Sequence, residues 1–362
     1  MGTITRSFAN NITSGGTFDA TDLTGTIPSS NIANASVGNI TDVPALVTTT
    51  KESSDPPSPV NGQIWYNTTD RVLRGYVLGA GSWASGGSLN TAREKLGGAG
   101  TQTAALGFAG VTPSLSYSSI TESYDGTSWT EVNDLNTAKQ SVAGAGTQTS
   151  AICAGGENSG GNTSDTELFN GTSWTEVNNM NTGRFFPGSS GTQTAALAFG
   201  GYVAAPTGIT ESWNGTSWTE VNDMNTGRYS IQGAGTQTDS IVAGGATPSP
   251  VGNVELWNGT SWTETTDLNT GRRGAGASSL STTSSNVIFF GGNALPPSTF
   301  TGTEKWDGTS WTEVNDLSTG RAEMRGAGTT SAALAYGGVI PPQSAATEEW
   351  TQSLVTTTLG AS

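Results

Sequence analysis

A tryptophan set in Gly-Thr-Ser-Trp returns along the chain at Trp129, Trp174, Trp218, Trp262 and Trp311, with a degenerate copy at Trp83. The intervals are 46, 45, 44, 44 and 49 residues, so most of the 362-residue chain is one small unit written six times. A unit of this size cannot bury its own apolar faces and needs neighbours on both sides, which restricts the chain to a propeller, a solenoid or a related array.

One well-kept unit opens at Met224-Asn225-Thr226-Gly227-Arg228; the same frame stands one period earlier at Met180 to Arg184. A Gly-rich segment follows (Gly233 to Thr238), then an apolar run ending in paired glycines (Ile241 to Gly245), a variable stretch, Val254-Glu255-Leu256-Trp257, a turn at Asn258-Gly259, and Ser261-Trp262-Thr263-Glu264. Short runs rich in Val, Ile, Thr, Trp and Ala between Gly, Asn and Asp clusters are strands, and no window shows the 3.6-residue period of a helix. Asn170-Gly171, Asn214-Gly215, Asn258-Gly259, Asp125-Gly126 and Asp307-Gly308 predict type I′ hairpins, in which both central residues take positive φ. Glycine pairs such as Gly200-Gly201 and Gly244-Gly245 end the second strand, where a side chain would hold the next unit away.

Four strands per unit with a period in the forties indicate a propeller blade. The residues Gly200-Gly201, Trp213, Trp218 and Arg228, with matching sets elsewhere over about residues 74–350, resemble the kelch repeat. The resemblance implies an all-β fold, a six-bladed kelch-like β-propeller with an extended N-terminal anchor segment. Gly-rich first strands follow Arg93, Lys139, Arg184, Arg228, Arg272 and Arg321. The piece from Arg74 to Trp83 looks like the hairpin that ends a unit, while the last unit reaches Trp350 without a Ser-Trp. The last blade is therefore expected to take strands from both chain ends, with Leu354–Leu359 as a further candidate for it, which would close the ring and remove exposed edges. The expected division is 1–50 anchor, 51–62 Pro/Ser-rich linker and 63–362 propeller. The recurrent cation is expected to serve pairing between blades, with Glu131 and Asp134, Glu220 and Asp223, Glu264 and Asp267, and Glu313 and Asp316 nearby.

Fourteen Lys and Arg stand against 29 Asp and Glu, and the formal charge of −15 repels phosphate backbones and anionic membranes; nucleic-acid binding and membrane insertion are not expected. The single Cys153 lies in an apolar run and reads as a buried small hydrophobe. With no histidine, a Ser-His-Asp or Cys-His pair and a histidine metal site are excluded. Two carboxylates could still hydrolyse a glycosidic bond. The acids fall mostly in the repeated frame, however, so no enzyme activity, cofactor or metal is expected.

Residues 1–50 are poor in apolar side chains and cannot form a core of their own. Leu23-Thr24-Gly25-Thr26-Ile27-Pro28, Asn39 to Pro44 and Gly62-Gln63-Ile64-Trp65-Tyr66-Asn67-Thr68-Thr69-Asp70 resemble the N-terminal attachment part of phage tail-fibre and related virion appendage proteins. That resemblance implies a virion location and contacts with other virion proteins through the N-terminal segment, as a homo-oligomer in the particle.

Because strands alternate direction, the second-to-third loops and the positions just after each cation emerge on one face, and both vary while the frame does not. Variable loops on a rigid scaffold are where recognition is placed. Glu94, Gln140, Phe185, Phe186, Tyr229, Arg273, Ala322 and Glu323 follow the cations and should approach a channel mouth. The candidate ligand-binding residues are Tyr117, Phe185, Phe186, Tyr202, Tyr229 and Phe300, non-repeated aromatics that could stack on a host-surface glycan or protein. The alternatives are a purely architectural head or tail decoration protein and a glycan-active enzyme.

Overall fold

The computed structural model describes residues 50–295 and 298–359. The expected anchor, 1–50, lies outside them save for Thr50. Two compact units divide the chain, one of residues up to Gly79 together with Ser353 onward, the other Ala80–Gln352. Among the described residues every regular element is a strand.

Among the described residues the larger unit holds six four-stranded sheets, one per sequence repeat, joined antiparallel throughout. In the third, Gly188–Thr192, Ala195–Phe199, Thr210–Trp213 and Trp218–Val221 lie in chain order. The sixth departs from chain order: Arg325–Gly328, Ala332–Tyr336 and Thr347–Thr351 come from one end of the unit, and Ser82–Ser85 from the other pairs Trp83 with Trp350. The first strands of successive sheets adjoin, and that of the sixth adjoins that of the first, Gly97–Gly100. Glycine permits this approach: a Cβ at Gly144 would stand 2.7 Å from the Gly98 nitrogen, and one at Gly326 2.2 Å from the Ala277 oxygen.

The core is divided among the sheet interfaces. Each of six apolar clusters joins two neighbouring sheets; Leu197, Phe199 and Met224 meet Val242, Trp257 and Trp262 between the third and fourth, and Leu334 and Tyr336 meet Tyr124 and Trp129 between the sixth and first. The repeated tryptophan reaches back across each interface, as Trp174 Nε1 donates to Thr121 Oγ1 at 3.1 Å and Trp218 Nε1 to Thr166 Oγ1 at 3.0 Å. Trp129 reaches Thr347 of the sixth sheet at 3.0 Å and Trp83 reaches Thr303 of the fifth at 3.1 Å. Cys153 is buried in one such interface, and desolvation pushes its thiol up to about 12.

The recurrent cation is fully buried in every repeat, but its partner is not among the acids expected from the sequence. Arg93, Lys139, Arg184, Arg228, Arg272 and Arg321 pair with Glu122, Glu167, Glu211, Glu255, Glu304 and Glu348, all on third strands, at 2.6 to 3.0 Å. The carboxylate also grips the connector arriving from the preceding sheet: Glu211 accepts from Asn181 N at 2.7 Å and Asn181 Nδ2 at 2.8 Å. A buried charge must be both paired and hydrogen-bonded, and this glutamate supplies both; the pair lies within one repeat, Arg184 and Glu211 for instance, and not between blades as expected. The fourth-strand acids stay exposed, and the aspartates Asp134, Asp223 and Asp316 accept the first backbone N–H of the third strand.

The turns also differ from expectation. Asn170-Gly171 lies in a four-residue loop between the paired residues Phe169 and Trp174, with positive φ at Gly171 only. Asn170 Oδ1 accepts from Thr172 N and Ser173 N, both at 2.9 Å, so the asparagine acts through its side chain and the type I′ geometry is not used.

In the smaller unit Thr50–Glu52 runs parallel to Ile64–Asn67, followed by Val72–Leu78 and Leu354–Thr358. Three expectations are corrected here. Residues 63–79 are not part of the repeat unit; the C-terminal strand pairs with Val72–Leu78 and not with the sixth sheet. Residues 51–62, expected as a Pro/Ser-rich linker, are tied into this unit. Asp55 pairs with Arg74 at 2.7 Å and accepts from Thr356 Oγ1 at 3.0 Å, while Tyr76 donates to the Pro56 carbonyl at 2.7 Å. The core of this sheet is Trp65 against Tyr76, with ring centroids 4.6 Å apart.

Candidate functional site

Two residues beyond each cation the chain turns through the left-handed region: Lys95, Ser141, Phe186, Ser230, Gly274 and Glu323 have φ between 51° and 61°. Their backbone groups form a cycle. Ser141 N donates to Lys95 O, Phe186 N to Ser141 O, Ser230 N to Phe186 O, Gly274 N to Ser230 O, Glu323 N to Gly274 O and Lys95 N to Glu323 O, at 2.8 to 3.2 Å. A second cycle surrounds it, in which the second residue of each glycine pair donates to the carbonyl of the next cation; Gly201 N reaches Arg228 O, and Gly338 N of the sixth repeat reaches Arg93 O of the first, both at 2.8 Å. Non-glycine residues in this region cost free energy, and the hydrogen-bonded cycle over-determines the conformation.

The residue just after each cation forms a β-bridge to the start of a second-to-third loop: Phe185 to Tyr202, Tyr229 to Ala246, Arg273 to Asn293. Four expected binding residues are thereby gathered. Phe185 stands 5.2 Å from Phe186 and 5.3 Å from Tyr202, and Tyr229 lies 5.4 Å from Tyr202 and 6.1 Å from Phe186 by ring centroids. All four are half-buried.

Tyr117 and Phe300 do not join them. Tyr117 folds back on Val111 within its own loop, and its hydroxyl is raised above the usual range by burial and by Glu157 beside it. Phe300 packs over the guanidinium of Arg272, 5.2 Å from the ring centroid.

A depression of about 310 Å³ opens beside the ring, walled by Phe186 and Tyr229 and edged by Lys95, Arg273 and Asn293. Lys95 Nζ sits 5.6 Å over the Phe186 ring. Arg273 Nη1 donates to the Tyr229 hydroxyl at 3.2 Å. Glu323 crosses the ring to accept from Ser230 Oγ at 2.8 and 3.1 Å. Burial raises its carboxyl above the usual value, with Ser230, Lys95 and Arg273 pulling it down and Glu94 pushing it up. Lys95, Ser141, Ser230 and Asn293 were not singled out from sequence; their constant offset from the cation or the glycine pair was the available signal. Among the described residues no group of three or more His, Cys, Asp or Glu side chains is placed to hold a metal ion.

The arrangement suits recognition: a rim carrying aromatic rings, the cations Lys95 and Arg273, the carboxylates Glu94 and Glu323 and several hydrogen-bonding groups. No protein-family profile matches this chain. No curated protein matches it either.

Proposed function

We propose that this chain is a virion appendage protein of a phage, a six-bladed kelch-like β-propeller joined to an N-terminal segment that docks on the particle, and that its displayed face attaches to the host surface without catalysis. The propeller reading is supported by six four-stranded sheets whose inner strands, interface clusters and hydrogen-bonded cycles all run from the sixth repeat back to the first. The virion reading rests on the likeness of about the first seventy residues to tail-fibre attachment segments.

The observation that carries attachment is the gathering of Phe185, Phe186, Tyr202 and Tyr229 from two neighbouring repeats onto one rim. None belongs to the repeated frame, so the fold does not require them there. Half-buried aromatic rings on a fixed backbone offer large contact area at small entropic cost, which is what a sugar ring or a receptor surface needs.

The test is a Tyr202→Ala/Tyr229→Ala double variant. Host-cell binding should fall about tenfold or more while melting temperature and incorporation into particles stay near the parent. Cell binding equal to the parent, with normal incorporation, removes the attachment reading and leaves an architectural decoration protein in its place.

A further inference from the structure

Each of the six recurrent buried cations has its own glutamate, and a seventh buried cation has none. Arg325, on the first strand of the sixth sheet, is 2% exposed and makes no ion pair among the described residues. Its stem crosses the first repeat, where a Cβ at Gly98 would stand 2.7 Å from Arg325 Cγ. Its guanidinium reaches the second and third repeats, with Nη2 donating to Gly144 O at 2.7 Å and to Ser189 Oγ at 3.3 Å. Burial pushes the guanidinium below its usual range, and no described carboxylate pulls it back. Arginine stays protonated even so, and a buried charge calls for a counterpart.

Arg325 also lines a cavity of about 20 Å³ within the inner hydrogen-bonded cycle. All six members of the cycle line it, and Gln232 and Arg325 join them two residues beyond Ser230 and Glu323. Of the three guanidinium nitrogens, Nε is sealed in and Nη2 is engaged, whereas Nη1 has no hydrogen bond among the described residues and is not sealed. Gln232 is half-buried, and its side-chain amide makes no hydrogen bond among the described residues. Glu323 is the single carboxylate on this lining, and it is held by Ser230 at 2.8 Å. Around the cycle Lys95 and Arg273 balance Glu94 and Glu323, which leaves Arg325 as the charge without an opposite.

The size of the cavity selects the counterpart. A volume of about 20 Å³ admits roughly one water-sized particle, so carboxylates, phosphate and sulfate are too large. A metal cation is repelled by the guanidinium. A halide is monatomic and carries the single negative charge that is missing.

We propose that this cavity binds one chloride ion, held by Arg325 Nη1 and the side-chain amide of Gln232 inside the hydrogen-bonded cycle. The ion ties the sixth repeat to the fourth, while Arg325 Nη2 ties the sixth to the second and third. It serves stability, independently of what the aromatic rim attaches to.

The test uses the full chain with bromide and chloride as probes. Crystals equilibrated with about 0.1 M sodium bromide should show an anomalous peak in the cavity within hydrogen-bond distance of Arg325 Nη1. In solution, the melting temperature should be about 2 °C or more higher in sodium chloride than in sodium gluconate of equal ionic strength, because gluconate is too large to enter. Arg325→Met should melt alike in the two salts, and Gln232→Ala should reduce the difference. Where Arg325→Met does not fold, the bromide crystals and the salt comparison on the parent decide. A cavity holding water with no bromide signal, a parent that melts alike in both salts, or a difference that persists in folded Arg325→Met overturns the proposal.

Discussion

The buried glutamate on each third strand pairs the cation of its own repeat and holds the connector arriving from the preceding sheet, and Glu211→Ala measures its contribution. In the wild type the fully buried carboxylate receives the fully buried Arg184 Nη1 at 2.6 Å, and Asn181 N at 2.7 Å, Asn181 Nδ2 at 2.8 Å and Thr182 N at 3.3 Å. Removing it leaves Arg184 buried with only the Thr182 and Ala198 carbonyls, at 3.1 and 3.2 Å. Burial already pushes this guanidinium below its usual range, and Glu211 is the main group pulling it back. Breaking one side of such a pair costs about 3–5 kcal/mol. For a unit of this size that corresponds to a fall of roughly 6–20 °C in melting temperature. The control is Glu220→Ala, since Glu220 stands directly across from Glu211 in strand register but is exposed, and its loss should change stability by less than about 0.5 kcal/mol. Differential scanning calorimetry on the two variants and on Arg184→Leu/Glu211→Leu decides the matter. The double variant should recover much of the loss because no lone charge remains buried. If Glu211→Ala and Glu220→Ala melt alike, the buried pair does not stabilise its repeat.

Two further perturbations probe closure and the ring. Trp83→Ala removes the indole that contacts Phe290 and Trp350 at 4.8 and 5.5 Å and donates to Thr303, and should destabilise the repeat unit by about 3 kcal/mol in chemical denaturation; a loss below about 0.5 kcal/mol would mean that the strand from the N-terminal end is not needed. Glu323→Gln tests the raised carboxyl. Because the folded state holds this proton more tightly than the unfolded chain, its contribution is greatest below the ordinary value of 4.5 and declines as pH rises from there through the raised folded value. The melting temperature of the glutamine variant relative to wild type should therefore be higher near about pH 8 than near about pH 4, and a difference independent of pH would refute the assignment.

Much of this architecture is written in the repeat. The period, the glycine-lined first strands and the variable positions after the cation follow from residue types that have few alternatives at those places. The cation's partner was hidden because glutamate recurs on both the third and fourth strands, and register sets the two opposite each other, Glu211 against Glu220. Composition does not distinguish the buried one from the exposed one. The place of the C-terminal strand is hidden for a related reason: Leu354–Thr358 carries a generic strand pattern that makes it a candidate for the last blade, and its pairing with Val72–Leu78 depends on contacts distant in sequence. At the site, aromatic residues could be chosen as non-repeated, but which of them meet depended on bridges such as Phe185 to Tyr202. Tyr117 and Phe300 satisfied the same sequence criterion and were drawn away by Val111 and Arg272.

The central claim is that the aromatic rim is a displayed, host-facing surface on a particle-anchored propeller. An electron-microscopy reconstruction of the intact particle tests it most directly. The account predicts density for this chain with its N-terminal segment against other virion proteins and the rim of Phe185, Phe186, Tyr202 and Tyr229 open to solvent. A reconstruction in which that rim is buried against neighbouring virion proteins, or in which the chain is absent from the particle, would contradict it.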